Sequence, residues 1–77
     1  MSENIVKLSD LQVGEAGEIV KVGAAGEIKK RLLEMGVIKG ARVEVERFAP
    51  LGDPIDVIVR GYQLSLRLRE AECVEVE

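Results

Sequence analysis

The chain has 77 residues, of which 47% are hydrophobic, and a formal net charge of −3 at pH 7. A chain of this length makes one domain, residues 1–77, and the negative charge argues against nucleic acid as the main partner. Histidine is absent and there is a single cysteine, so the commonest general base is missing and no intrachain disulfide can form. No apolar run reaches the ~18 residues of a membrane span, and we expect a small soluble, cytoplasmic domain.

The first part of the chain predicts short elements separated by turns. Residues 1–4 are polar, and we expect them to be frayed. Residues 5–8 predict a short strand, which one helical or 3₁₀ turn follows. Residues 18–22 predict a second strand with Val20 and Val22 on one face.

One α-helix is predicted over residues 27–35. Ile28, Leu32 and Met35 recur at positions i, i+4 and i+7, which is the spacing of an apolar stripe on a helix. Gly36 follows as a C′ residue in left-handed geometry, a position that is costly for any residue with a Cβ. We expect the apolar stripe to cover one end of a β-barrel.

Two alternating runs, residues 42–46 and 55–60, predict a β-hairpin with one buried face. Two registers keep the valines on that face. We favour the register with Val45 opposite Val59, because it sets a glutamate opposite an arginine. The alternative, shifted by two residues, sets two carboxylates against each other and two arginines against each other, which is unfavourable.

The segment between these strands is stiff and carries apolar side chains. Pro50 and Pro54 restrict its backbone, and Phe48 and Leu51 lie where loops are usually polar. Counted from Val45, Phe48 falls on the outward phase of its strand. Either both apolar side chains fold back to close the barrel mouth, or they form a small exposed patch of the kind that contacts other proteins.

The last third of the chain predicts more short strands. A turn at Gly61-Tyr62 leads into a strand over residues 64–68, one helical turn covers residues 69–72, and Val74 and Val76 face the core from a final strand. Five or six short strands with one helix predict a mainly β fold, a small antiparallel barrel, because closure limits exposed strand edges.

Side chains for catalysis or metal binding are scarce. Asp53 and Asp56 flank a strand entrance, where turn chemistry and solvation explain them better than acid–base work. A metal site at Cys73 and Glu75 is conceivable, but a cysteine on an edge strand is usually inert. We therefore expect no enzymatic activity, no cofactor and no metal site.

One basic cluster, Lys29-Lys30-Arg31, lies on the predicted helix. It is either a solvated face supported by neighbouring glutamates or a surface for an acidic partner.

Several short motifs, in this order, resemble the FeoA family. The residues that carry the resemblance are Arg31-Leu32, Met35-Gly36-Val37, Gly40, Ala49-Pro50-Leu51-Gly52-Asp53-Pro54, Arg60-Gly61, Leu64-Ser65-Leu66-Arg67, Glu70-Ala71 and Val74-Glu75-Val76. The resemblance as a whole runs from about Leu8 to the C-terminus. The resemblance implies a small cytoplasmic SH3-like barrel of bacterial ferrous-iron uptake, similar also to the C-terminal domain of DtxR-type repressors.

The resemblance also implies a partner, the FeoB membrane transporter of ferrous iron, which has a cytosolic G-protein domain. We expect a free-standing, monomeric accessory module that binds and modulates this transporter and meets the membrane only through it. The alternative is a generic SH3-like adaptor or a regulatory domain. From the residues themselves we expect the contact surface to comprise Phe48, Pro50 and Leu51, with Arg31 and Lys30 at its rim.

Overall fold

Six β-strands form one antiparallel sheet in the computed structural model, which describes residues 4–77. The predicted fraying of residues 1–4 therefore lies, for residues 1–3, outside the described part of the chain. The strands are β1 Val6–Lys7, β2 Ala16–Val22, β3 Arg42–Phe48, β4 Ile55–Val59, β5 Tyr62–Leu66 and β6 Val74–Val76. The helices are α1 Gly26–Glu34 and the short α2 Leu68–Ala71, and a 3₁₀ turn covers Leu8–Asp10.

The strands are ordered β1-β6-β2-β3-β4-β5, and every neighbouring pair is antiparallel. The first half of β2 pairs with β3 and its second half pairs with β6, so β2 joins the two parts of the sheet. The predicted mainly β, antiparallel fold is confirmed. Its core is aliphatic throughout and consists of Leu8, Ile19, Leu32, Val37, Ala41, Val43, Val45, Ile55, Val57, Val59, Leu66, Ala71, Val74 and Val76.

The face of β2 that enters the core differs from the prediction. Ile19 is fully buried and Val22 packs half-buried against the core, whereas Val20 is half-buried outside that cluster. The pairing with β6 shifts between Ile19 and Lys21, so the strand has one extra residue at Val20. A bulge of this kind breaks the strict alternation on which the prediction relied.

The helix α1 ends as the sequence predicts. Gly36 has a φ of +95°. Its N–H donates to the carbonyl of Leu33 at 3.0 Å, and the N–H of Val37 donates to the carbonyl of Leu32 at 2.9 Å. These two hydrogen bonds define a Schellman motif, which satisfies carbonyls that a helix end otherwise leaves without partners. The positive φ predicted for Gly36 is confirmed.

Replacing Gly36 by alanine should destabilise the fold by about 1 kcal/mol or more. The cause is backbone strain alone, because an added Cβ would meet nothing closer than the Arg60 Cδ at 3.9 Å. Urea unfolding of Gly36→Ala beside Glu34→Ala, an exposed position on the same helix, measures the effect. Equal stability of the two variants would contradict the strain argument.

The register of the β3–β4 hairpin is the one that the sequence argument disfavoured. Val43 lies opposite Val59 and Val45 lies opposite Val57. The predicted pairing of Val45 with Val59 is therefore wrong, and the ladder is shifted by two residues.

A bulge in β3 removes the pair of opposed carboxylates that argued against this register. After Val45 the pairing shifts, so that Arg47 rather than Glu46 lies opposite Asp56. The Arg47 Nη2 then donates to Asp56 Oδ2 at 2.9 Å. Opposite charges across a strand pair are favourable where like charges would repel. One extra residue thus converts a repulsive pair into an ion pair.

The turn after β4 comes one residue earlier than predicted. Arg60 and Gly61 have φ values of 55° and 87°, and the Val59–Tyr62 pair closes the hairpin around them. Positive φ at both central residues is the geometry of a type I′ turn. The strand β5 ends at Leu66, and Leu68 begins α2 instead of continuing the strand.

A polar ladder crosses the outer face of β3, β4 and β5. The Ser65 hydroxyl donates to Asp56 Oδ1 at 2.6 Å, and Arg47 donates to Oδ2 of the same carboxylate. The Ser65 hydrogen bond first, and then the Arg47 hydrogen bond and charge, hold the pKa of Asp56 below its ordinary value of 3.8. A carboxyl group with a depressed pKa in the folded state stabilises the fold in its ionised form.

Stability contributed by Asp56 should be present at neutral pH and lost as the pH falls through its depressed folded-state pKa. The reason is that the unfolded chain, with the ordinary pKa of 3.8, binds the proton more tightly than the folded chain does. Asp56→Asn should therefore be less stable than the wild type at neutral pH and nearly equal to it in strong acid, measured by urea unfolding. Asp10→Asn, at an exposed position, is the control. A stability difference that does not change with pH would contradict this assignment.

Candidate protein-contact site

The loop between β3 and β4, residues 49–54, is held by its own hydrogen bonds. The Gly52 N–H donates to the Ala49 carbonyl at 2.7 Å, which closes a turn with Pro50 at its second position. The Ala49 N–H donates to the Pro54 carbonyl at 3.0 Å. Pro50 is exposed, and Leu51 is 96% exposed at the tip.

Phe48 and Leu51 do not share one environment. Phe48 is half-buried and packs against the core, whereas Leu51 projects into solvent. The cause is the bulge after Val45, which returns Phe48 to the inner phase of β3. The expectation that Phe48 lies on the outward phase is therefore wrong. Each of the two interpretations holds for one side chain: Phe48 folds back and Leu51 remains exposed.

Asp53 fixes the β3–β4 loop against the start of α2. Its Oδ1 accepts a hydrogen bond from the Leu68 N–H at 2.9 Å. The first N–H groups of a helix have no partner within the helix, so a carboxylate supplied by another segment caps α2. This contact agrees with the structural role expected for Asp53.

Arg31, which was expected at the rim of the contact surface, forms an ion pair with a buried carboxylate. Glu70 is 2% exposed; its Oε2 pairs with the Arg31 guanidinium, and its Oε1 accepts the Arg67 N–H at 2.9 Å. The Arg31 side chain remains 55% exposed, and Lys30 beside it is exposed. The residues of the basic cluster therefore differ in role. Arg31 links α1 to α2 through its ion pair with Glu70, while Lys30 is solvated.

Sequence reasoning missed a polar cleft beside the β3–β4 loop. Asp53, Arg67 and Arg69 line a space of about 350 Å³. The available signal was Glu70 three residues after Arg67, the spacing at which a glutamate caps the first turn of a helix. That signal identifies the turn of α2, but it does not show that the β3–β4 loop lies beside it.

Two further observations concern metals and membranes. Within residues 4–77 no group of three or more Cys, Asp or Glu side chains converges as a metal site would require. The Cys73 thiol donates to the Arg69 carbonyl at 3.4 Å. In the same part of the chain no helix has the length and apolar character needed to cross a membrane.

The fold defines a small SH3-like barrel, and the tip of its β3–β4 loop carries the exposed Leu51. The chain belongs to the FeoA family, because the FeoA domain model matches residues 6–77.

Relatives of known identity agree with this assignment. The chain is 40% identical over 72 residues to a fusion of Fe(2+) transport protein A with the Fe(2+) transporter FeoB from Porphyromonas gingivalis. The match covers 94% of this chain but only 8% of that protein. The NMR structure of the FeoA protein from Chlorobium tepidum is 42% identical, with a TM-score of 0.86, over 92% of this chain and 69% of that chain.

The SH3-like architecture is also named in a relative. The FeoA of Stenotrophomonas maltophilia, crystallised with zinc, is described as a prokaryotic SH3 domain protein. It is 30% identical, with a TM-score of 0.82, over 94% of this chain and 89% of that chain. A manganese-dependent transcriptional repressor shares the fold at a TM-score of 0.88, over 99% of this chain and 42% of that chain. At 16% identity this likeness shows the fold alone.

Proposed function

We propose that this FeoA domain is a non-enzymatic, cytoplasmic accessory module that binds the FeoB-type ferrous iron transporter and modulates it. The proposal rests on one observation: in the Porphyromonas gingivalis protein, a related domain and the transporter are fused in one polypeptide. Fusion places the two at the same membrane in equal numbers. A domain of the same family that acts on such a transporter has to contact it, and on this proposal it meets the membrane only through the transporter.

The contact surface that we propose is centred on the tip of the β3–β4 loop. Leu51 and Pro50 are exposed there, and the half-buried Phe48, which packs against the core, ends the strand that leads into the loop. Because the turn is closed by hydrogen bonds and restricted by proline, little conformational entropy is lost when it docks. We assign Lys30 and Arg31 to the rim of this proposed surface, where cations mainly affect the rate of encounter.

Co-purification tests the proposal directly. A tagged cytosolic domain of the transporter from the same organism should retain the wild-type chain in one of two preparations, with GTP or without nucleotide. A difference between the two preparations would show that the nucleotide state controls binding. Absence of the chain from both preparations, and from one made with the full-length transporter, would contradict the proposal.

Leu51→Ala should weaken binding to the transporter by about 1–2 kcal/mol and leave the stability of the fold nearly unchanged. The reason is that a side chain 96% exposed contributes little to folding, yet it can be buried at an interface. Isothermal titration gives the affinity, and thermal melting gives the stability.

The matched control for Leu51→Ala is Tyr62→Ala. Tyr62 is 72% exposed at the start of β5, and it pairs with the last residue of β4, at the end of that strand away from the loop. Its loss should therefore change neither the affinity nor the stability much. If Leu51→Ala instead lowers the melting temperature and leaves affinity unchanged, the loop only closes the fold and the proposed surface is wrong.

A further inference from the structure

The start of α2 presents two arginines to the cleft beside the β3–β4 loop. Arg67 and Arg69 are both exposed and line the 350 Å³ space together with Asp53. Among residues 4–77, neither guanidinium takes part in an ion pair, in contrast to Arg31 and Arg47. Their hydrogen-bond donors are therefore available to a ligand, and a planar guanidinium can bind a carboxylate through two parallel hydrogen bonds.

The charge of this cleft is opposite to that of the whole chain. Two arginines against one aspartate leave one net positive charge in the cleft, while the chain as a whole carries −3. The carboxylate of Asp53 is directed to the Leu68 N–H, at 2.9 Å, and so it is already engaged with the backbone of α2. A local cationic site on an acidic chain favours an acidic ligand.

The cationic cleft and the exposed apolar tip share the β3–β4 loop, since Asp53 lines the cleft and Leu51 forms the tip. Leu51 lies two residues before Asp53, and the hydrogen bond from Leu68 to Asp53 holds that part of the loop against α2. An apolar anchor beside cationic groups matches a ligand that carries both an apolar side chain and carboxylates. In protein contacts, the anchor supplies affinity and the charges supply orientation and encounter rate.

We infer that this surface binds an acidic segment of a partner protein, with an apolar side chain of the segment against Leu51 and its carboxylates against Arg67 and Arg69. The inference rests on the proposed function, since it gives the chemistry by which the transporter would be recognised. It places the functional cations on α2 rather than on α1, where Arg31 is paired with Glu70.

A protein segment fits this surface better than a membrane or a second copy of the chain. Lipid recognition by basic clusters uses about 4–8 cationic side chains, and the cleft offers two with an aspartate between them. The net charge of −3 opposes the close approach of a whole anionic bilayer or of another copy of the chain, whereas a short acidic segment meets mainly the local positive charge of the cleft.

The first test is charge reversal, measured by titration against the cytosolic domain of the transporter at several salt concentrations. Arg67→Glu/Arg69→Glu should weaken binding by about tenfold or more and flatten its salt dependence. Arg69→Gln removes one charge with little risk to folding and should weaken binding by a few fold. The control is Arg42→Glu, an exposed position at the end of β3 far from the loop, which should change affinity less than twofold.

The second test needs no transporter. A synthetic peptide with a central leucine flanked by glutamates is titrated into ¹⁵N-labelled protein, beside the same peptide with lysines in place of the glutamates. Amide shifts should concentrate at residues 50–53 and 67–69 with the acidic peptide only. Leu51→Ala and Arg69→Gln should each reduce these shifts.

These tests separate failure of the inference from failure of the proposed function. Normal transporter binding by both arginine variants would overturn the inference and leave the proposed function intact. No transporter binding by the wild type, together with shifts from the acidic peptide at the cleft, would overturn the proposed function and support the inference.

Other occupants would also overturn the inference. One such result would be that the wild-type protein binds phosphatidylserine vesicles, that Arg67→Glu/Arg69→Glu abolishes this binding, and that the acidic peptide causes no amide shifts. Another is self-association in sedimentation that the charge reversal abolishes, which would make the ligand a second copy of the chain.

Discussion

Leu32→Ala should destabilise the fold by about 2–5 kcal/mol. Leu32 is fully buried at the centre of the apolar stripe of α1, and it packs in the cluster that contains the buried valines of the sheet. Alanine would leave a cavity that an aliphatic core can fill only in part. For a domain of this size such a loss is a large share of the total stability. Urea unfolding followed by circular dichroism measures it.

Leu33→Ala is the matched control, because it makes the same chemical change at the next position of the same helix. Leu33 is 41% exposed, so its replacement should cost less than about 1 kcal/mol. A loss below half a kcal/mol for Leu32→Ala, or equal losses for the two variants, would show that the wrong face of α1 was assigned to the core.

The helix could be predicted from sequence because its signals are local. A stripe that includes Leu32 at helical spacing and a glycine immediately after it determine where α1 lies and how it ends. The observed helix, Gly26–Glu34, differs from the predicted range 27–35 by one residue at each end, and Gly36 has the predicted left-handed geometry. The alternation of Val74 and Val76 identifies β6 for the same reason, and both valines are buried.

The bulges could not be predicted, because they depend on the partner strand. The run around Glu46 alternates regularly in sequence, and nothing in it marks Glu46 as an extra residue. Only the pairing with β4, which sets Arg47 opposite Asp56, selects the bulge. This single residue accounts for two wrong predictions, the hairpin register and the outward orientation of Phe48.

The candidate site could be predicted only in part for a related reason. The stiff turn and the exposed tip follow from Pro50 and Leu51, which are adjacent in the chain. The pairing of Arg31 with Glu70 spans 39 positions, and the capping of α2 by Asp53 spans 15. The topology of the fold determines which distant segments come into contact, and the local spacing of residues in the sequence does not reveal that topology.

Arg31→Ala should destabilise the fold by about 2–3 kcal/mol, far more than the loss of an ordinary surface ion pair. The reason is the asymmetry of burial: Arg31 is 55% exposed, whereas Glu70 is 2% exposed. Removing the arginine leaves a buried carboxylate whose remaining hydrogen bond is the one from the Arg67 N–H. Lys30→Ala, at an exposed position on the same helix, is the control and should stay within about half a kcal/mol of the wild type.

The double variant Arg31→Ala/Glu70→Gln should recover part of the stability that Arg31→Ala loses. A neutral amide at position 70 can still accept the Arg67 N–H through its oxygen, and it avoids a buried charge without a partner. Glu70→Gln alone should cost less than Arg31→Ala, because the half-exposed guanidinium that it leaves behind is hydrated. Urea unfolding of the four proteins in this cycle gives the coupling energy between the two positions. If the two single losses simply add in the double variant, Arg31 stabilises the fold through its aliphatic stem and not through the carboxylate of Glu70.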